Sequence, residues 1–110
     1  MLTLEGRTAI VTGGARGLGE AYVRALANEG AHVVIADLLE DEGRVLAADL
    51  GSSASFARLD VTDQAQWKAL VDDVVAKHGA PYVLINNAGI HSFGTVLDDY
   101  QNWRRVQDIN

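Results

Sequence analysis

With 110 residues, the chain has room for one domain built around one core. Apolar residues at 48% mark a globular composition, while a formal net charge of −6 argues against nucleic-acid backbones and anionic membrane surfaces. The absence of cysteine excludes a disulfide framework and a thiolate metal site, and no apolar stretch approaches the roughly 18 residues of a membrane span.

The opening MLTLEGR is too short and too acidic for a signal peptide, so a cytoplasmic protein is expected. Thr8, Ala9, Ile10, Val11 and Thr12 suit a buried strand, and four glycines follow within seven positions, at Gly13, Gly14, Gly17 and Gly19. A helix is then predicted over 18–29, with Leu18, Tyr22, Val23 and Leu26 on one stripe. Ala21 and Ala25 between them are small enough to let that helix lie close on a sheet, and Gly30 suits its C-terminal stop. A strand that breaks at a glycine turn and restarts as a helix aims unpaired N–H groups and a positive dipole end at one point. Such a place suits a phosphate. The loop is not that of a nucleoside triphosphatase, because Glu20 occupies the position of the obligatory lysine. No G-x-G-x-x-G occurs either; the spacing is Thr12-Gly13-x-x-x-Gly17-x-Gly19.

The apolar, β-branched run over 31–37 reads as a second strand buried on both faces, closing on Asp37. A shorter, polar helix is predicted over 40–50 and is broken by Gly51-Ser52-Ser53. A weak third strand covers 55–59, with Asp60 after it. Asp63 suits the cap of a third helix and Gln66 the return position of a capping box. Along that helix Trp67, Leu70, Val71, Val74 and Val75 recur at spacings of three and four. Gly79-Ala80-Pro81 precedes a fourth strand over 82–85, which ends at Asn86-Asn87-Ala88-Gly89. Residues 90–97 read as loop, and a last helix starts near Asp98 or Asp99 and still runs at Asn110.

Alternating strands and helices of this length predict an α/β fold. It is a Rossmann-type doubly wound parallel sheet in the order 3-2-1-4, with right-handed crossovers. Its four strand ends would gather the glycine loop, Asp37, Asp60 and the Asn-Asn-Ala-Gly turn on one edge. Asp37, eighteen residues past Gly19, sits where a carboxylate accepts ribose hydroxyls and repels a 2′-phosphate; a helix-capping Asp is the alternative. Arg16 in the loop would favour a 2′-phosphate, but Asp37 opposes it and no basic residue follows, so NAD is expected over NADP. Asp60 reads either as an acceptor for an adenine amino group or as an ordinary strand-end Asp. The paired asparagines make a turn, or tie neighbouring strand ends together. His32, His78 and His91 show no metal spacing: His32 reads as a strand residue, His78 as a helix C-terminal one, and His91 follows the turn and could face a substrate. Trp67 and Trp103 read as core or interface residues.

Together, Thr12-Gly13-Gly14-Ala15-Arg16-Gly17-Leu18-Gly19, Asp37, Leu59-Asp60-Val61 and Asn86-Asn87-Ala88-Gly89 resemble the main type of the short-chain dehydrogenase/reductase family. The segment Trp103-Arg104-Arg105-Val106-Gln107-Asp108-Ile109-Asn110 matches it too, and hydroxysteroid dehydrogenases of bacteria look most similar. The resemblance implies NAD contacts at Gly13, Arg16, Gly17, Leu18, Gly19, Asp37, Asp60, Val61, Asn87, Ala88 and Gly89. It also implies hydride exchange between the nicotinamide and a secondary alcohol or ketone, in a homo-oligomeric cytoplasmic enzyme without metal. Of the family's Asn-Ser-Tyr-Lys set only Asn110 has a counterpart, since Leu26, Asn86 and Arg104 stand four residues after the three tyrosines. The chain is therefore expected to be the cofactor-binding half of a longer enzyme, ending inside the helix after the fourth strand and inactive alone. A non-catalytic dinucleotide-binding module is the competing expectation.

Overall fold

The computed structural model describes residues 3–87. Four strands, β1 (Thr8–Thr12), β2 (His32–Asp37), β3 (Ala54–Arg58) and β4 (Val83–Asn86), form one parallel sheet in the order β3-β2-β1-β4. Between them run α1 (Gly17–Asn28), α2 (Glu40–Leu50) and α3 (Gln64–His78), with a 3₁₀ turn at Gly51–Ser53. The predicted architecture and strand order are those observed.

Alternation along the central strands decides the two layers. Ala9, Val11, Val33 and Ile35 face one side and pack with Val23 of α1 and Leu46 of α2. Ile10, Val34 and Ala36 face the other and pack with Trp67, Leu70, Val71 and Val74 of α3. Because helices cover both faces, all five residues of β1 are buried, which is why its sequence runs apolar without alternation. Each fully buried Val, Leu or Ile contributes about 1.5–3 kcal/mol.

The helix faces differ in part from the periodicity reading. Val75 is 39% exposed, because α3 offers the sheet only the stripe from Trp67 to Val74. Leu18 is 62% exposed, and Ala21 and Ala25 also face outward. Close approach of α1 instead uses Gly19, as shown below. On α2 a similar device appears: a Cβ at Gly43 would strike the Phe56 ring of β3.

Helix ends follow local chemistry. α1 closes in a Schellman motif, with Gly30 N–H donating to the Ala27 carbonyl and Ala31 N–H to that of Leu26. Asp63 caps α3, its Oδ1 accepting from the amides of Ala65 and Gln66. Gln66 departs from the expected capping box. Its Nε2 donates to Asp63 Oδ2 at 3.2 Å, but its Oε1 accepts from the Asp60 amide at 2.8 Å rather than from the cap residue.

The N-terminal edge of the sheet carries a histidine pair. His32, opening β2, stacks on His78, closing α3, with ring centroids 4.4 Å apart. His32 Nδ1 lies 3.2 Å from the Ser52 carbonyl, which can only accept, so Nδ1 carries the proton. Nε2 then accepts from the Ser55 hydroxyl at 3.1 Å. Burial holds the His32 imidazole below the usual histidine range, against the raising effect of the Ser52 carbonyl, and His78 lowers it further. The unfolded chain therefore binds this proton more readily than the folded one. Stability is intact above the ordinary histidine pKa and falls as pH drops through it towards the lowered folded value. Melting temperature should decline between about pH 7 and pH 5, and His32→Leu should flatten that decline. Parallel melting curves for the two proteins would contradict the assignment.

Candidate functional site

The C-terminal ends of the four strands bring one set of groups together. β1 ends at Thr12, whose side chain is fully buried. Its Oγ1 lies 2.9 Å from Asn86 Oδ1 and 3.4 Å from the Ile85 carbonyl; with one proton to give, the hydroxyl donates to the nearer amide oxygen. The same oxygen accepts from the Asn87 amide at 2.9 Å, and Asn87 Nδ2 donates to the Gly13 carbonyl at 3.3 Å. The paired asparagines thus tie the end of β4 to the glycine loop. Thr12, quoted in the sequence fingerprint without a role, is the centre of that knot. The signal was present as a hydroxyl closing a wholly buried strand.

Gly13 leaves the sheet through its amide, which donates to the Ala36 carbonyl at 2.8 Å. Gly17 has φ +61°, a conformation that disfavours side chains, and a Cβ there would face open space. Gly19 is the close approach: a Cβ on it would strike the Gly13 carbonyl, and Asn87 Nδ2 would lie 2.9 Å away. α1 thereby starts directly against the loop.

Among the described residues, no side chain caps α1. Arg16, its N-cap, is extended and makes no capping bond, whereas α3 is capped by Asp63. The amides of Gly17, Leu18 and Gly19 are thus donors without intrahelical partners at the positive end of the dipole. Glu20, the acidic residue of the first turn, is turned to Arg24 at 2.9 Å. Three such amides at one helix start fit a pyrophosphate.

Asp37 ends β2 beside the loop. Its Oδ2 accepts from the Ala15 amide and its Oδ1 from the Leu39 amide, each at 3.0 Å. The carboxylate is locked in place, yet each oxygen keeps acceptor capacity for a further donor. From Ala15 and Arg16 an open groove of about 470 Å³ runs between α1 and α2 past Glu20, Asp41, Glu42 and Asp49. Arg24 in that groove is engaged by Glu20 and Asp49, so the surroundings of exposed Arg16 are acidic.

Past the end of β3, Asp60 Oδ1 accepts from both the amide and the hydroxyl of Thr62, at 3.0 and 2.6 Å. These bonds hold the Asp60 carboxyl below the usual range, the hydroxyl contributing most. The Val61 carbonyl accepts from Trp67 Nε1 at 2.8 Å. Gly13, Arg16, Gly17, Leu18, Gly19, Asp37, Asp60, Val61 and Asn87 therefore lie along one edge, while Ala88, Gly89, His91, Trp103 and Asn110 lie outside the described residues. His32 and His78 sit at the opposite edge. Among the described residues, no group of three potential ligands could hold a metal, and no helix is long and apolar enough to cross a membrane.

The family model described as short chain dehydrogenase matches residues 7–110. The chain belongs to the short-chain dehydrogenase family. Members of this family are oxidoreductases that use a nicotinamide dinucleotide on small-molecule substrates. Over 109 residues the chain is 49% identical to a 3-alpha-(or 20-beta)-hydroxysteroid dehydrogenase of Mycobacterium tuberculosis, with 97% of this chain and 42% of that protein covered. It is 45% identical to a trans-4-hydroxycyclohexanecarboxylate dehydrogenase of Sinomonas cyclohexanicum, covering 94% of this chain and 44% of that one. Identity to (+)-borneol dehydrogenase 1 of Salvia officinalis is 50%, covering 84% and 36%. The chain thus spans less than half the length of each of these relatives.

Proposed function

We propose that the chain is the cofactor-binding half of an NAD-dependent oxidoreductase that interconverts a secondary alcohol and a ketone. The observation that carries the reading is the locked Asp37 carboxylate beside the uncapped start of α1. Pyrophosphate oxygens would accept from the amides of Gly17, Leu18 and Gly19, and ribose hydroxyls would donate to Asp37. A 2′-phosphate would meet that carboxylate and the acidic groove beyond it. Asp60 and Val61 would border the adenine, and Asn87, with Ala88 and Gly89 after it, the nicotinamide side. The bound dinucleotide supplies the hydride acceptor or donor; this chain's residues hold and orient it. Two relatives are named for alcohols borne on saturated carbon rings and a third for hydroxysteroids, which favours a secondary alcohol on an alicyclic framework as substrate class.

A second reading, a dinucleotide-binding module without chemistry of its own, is favoured by one observation: none of the three tyrosines is followed four residues on by lysine. Formation of NADH from secondary alcohols by the whole enzyme of which this chain would be the cofactor-binding half separates the two, since the module would bind NAD and form none.

The cofactor assignment has its own test. Asp37→Asn removes the charge and keeps the side chain's size and one acceptor oxygen. Affinity for NAD should fall roughly tenfold, and NADP should gain by a similar factor. Unchanged calorimetric affinity for both cofactors would remove Asp37 from the site.

A further inference from the structure

Asp60 and Val61 follow β3 with no regular structure of their own, yet their backbone is held from three directions by the first turn of α3. The Asp60 amide donates to Gln66 Oε1 at 2.8 Å, the Asp60 carbonyl accepts from the Asp63 amide at 3.0 Å, and the Val61 carbonyl accepts from Trp67 Nε1 at 2.8 Å. Gln66 is itself oriented, because its Nε2 donates to Asp63 Oδ2. Trp67 is oriented by burial in the core. A cap needs only the two amide bonds that Asp63 already makes, so the Gln66 and Trp67 contacts serve something other than starting the helix. Their common target is the peptide on either side of the Asp60 side chain. Both of the Thr62 bonds go to Oδ1, and Arg58 acts on the same carboxylate electrostatically.

We infer that Gln66 and Trp67 are positioning residues that fix Asp60 as a base-reading acceptor and so let the site distinguish adenine from a purine with a carbonyl at the same ring position. The inference rests on the reading of Asp60 as an adenine contact. A fixed carboxylate accepts from an exocyclic amino group and opposes a carbonyl oxygen there. A carboxylate free to swing would tolerate either.

The test compares binding of ADP-ribose with that of its hypoxanthine analogue, by calorimetry on the purified protein. The unmodified protein should prefer adenine by roughly tenfold or more. Gln66→Met, or Trp67→Phe should the first variant fail to fold, should reduce the preference to about twofold or less. A merely structural role would weaken both ligands equally and leave their ratio intact, which would overturn the inference. Asp60→Ala separates the two levels. If it leaves the ratio unchanged, the adenine reading fails and this inference with it. If it abolishes the ratio while Gln66→Met and Trp67→Phe preserve it, only the positioning role fails.

Discussion

Replacing Gly19 with alanine should abolish measurable dinucleotide binding and lower the melting temperature. The added methyl would strike the oxygen and carbon of the Gly13 carbonyl, and both sides of that clash are backbone, so no rotamer change relieves it. Either α1 withdraws from the loop or the loop withdraws from Asn87, whose Nδ2 holds the same carbonyl. Each movement misaligns the amides of the first helical turn. Overpacking of this kind costs about 1–3 kcal/mol of stability. Binding suffers more, because several charge-assisted hydrogen bonds to phosphate lose their geometry together, and a loss of a hundredfold or more, about 2.7 kcal/mol, is expected. Gly17→Ala serves as the contrast. Its Cβ meets nothing within 4 Å, so only the left-handed conformation is penalised, by about 1–2 kcal/mol. Calorimetric titration with NAD checks both variants, and undiminished binding by Gly19→Ala would show that the close approach of α1 to the loop is dispensable.

The fold was legible because its signals are local. A run such as Val33-Val34-Ile35-Ala36 can be buried on both faces only inside a covered sheet, and the glycine loop and Asp63 mark where helices begin. The shared edge was legible for the same reason, since strand ends in a parallel sheet point one way. What sequence could not reveal are partners fixed by the third dimension. Thr12 meets Asn86 and Asn87 across more than seventy residues, and no periodicity relates them. The small residue that matters on α1 is Gly19 rather than Ala21 or Ala25, because Gly19 abuts the Gly13 carbonyl while both alanines are exposed. Gln66 sits where a capping box would place it, yet bonds to Asp60, since the Asp60–Asp63 turn brings that amide within reach. Asp37 does not cap α2, whose N-cap residue is Leu39 and which has no side-chain cap bond; its carboxylate instead clamps the backbone at Ala15 and Leu39 and so stands beside the loop.

Thr12→Val should destabilise the protein by roughly 2–4 kcal/mol while leaving its shape filled, which makes it the cleanest probe of the knot between β1 and β4. Valine matches threonine in outline but can neither donate to Asn86 Oδ1 nor accept from the Asn87 amide. Both groups are part-buried, and a desolvated polar group without a partner costs about 1–3 kcal/mol. Against a total stability of about 5–15 kcal/mol for an ordinary domain, that loss is large. Its effect reaches the site as well: once the Asn87 amide is released, Asn87 Nδ2 no longer has a fixed route to the Gly13 carbonyl, and NAD affinity should fall with stability. Thr12→Ser separates the hydroxyl from the methyl. It keeps the donor and acceptor and should cost only about 1 kcal/mol, the value of one buried methyl group. Urea denaturation of the three proteins measures the difference. If valine proved as stable as threonine, the Oγ1 bonds to Asn86 and Asn87 would contribute nothing net, and the junction of β1 and β4 would rest on its backbone ladder and on the packing of Ile10 against Leu84.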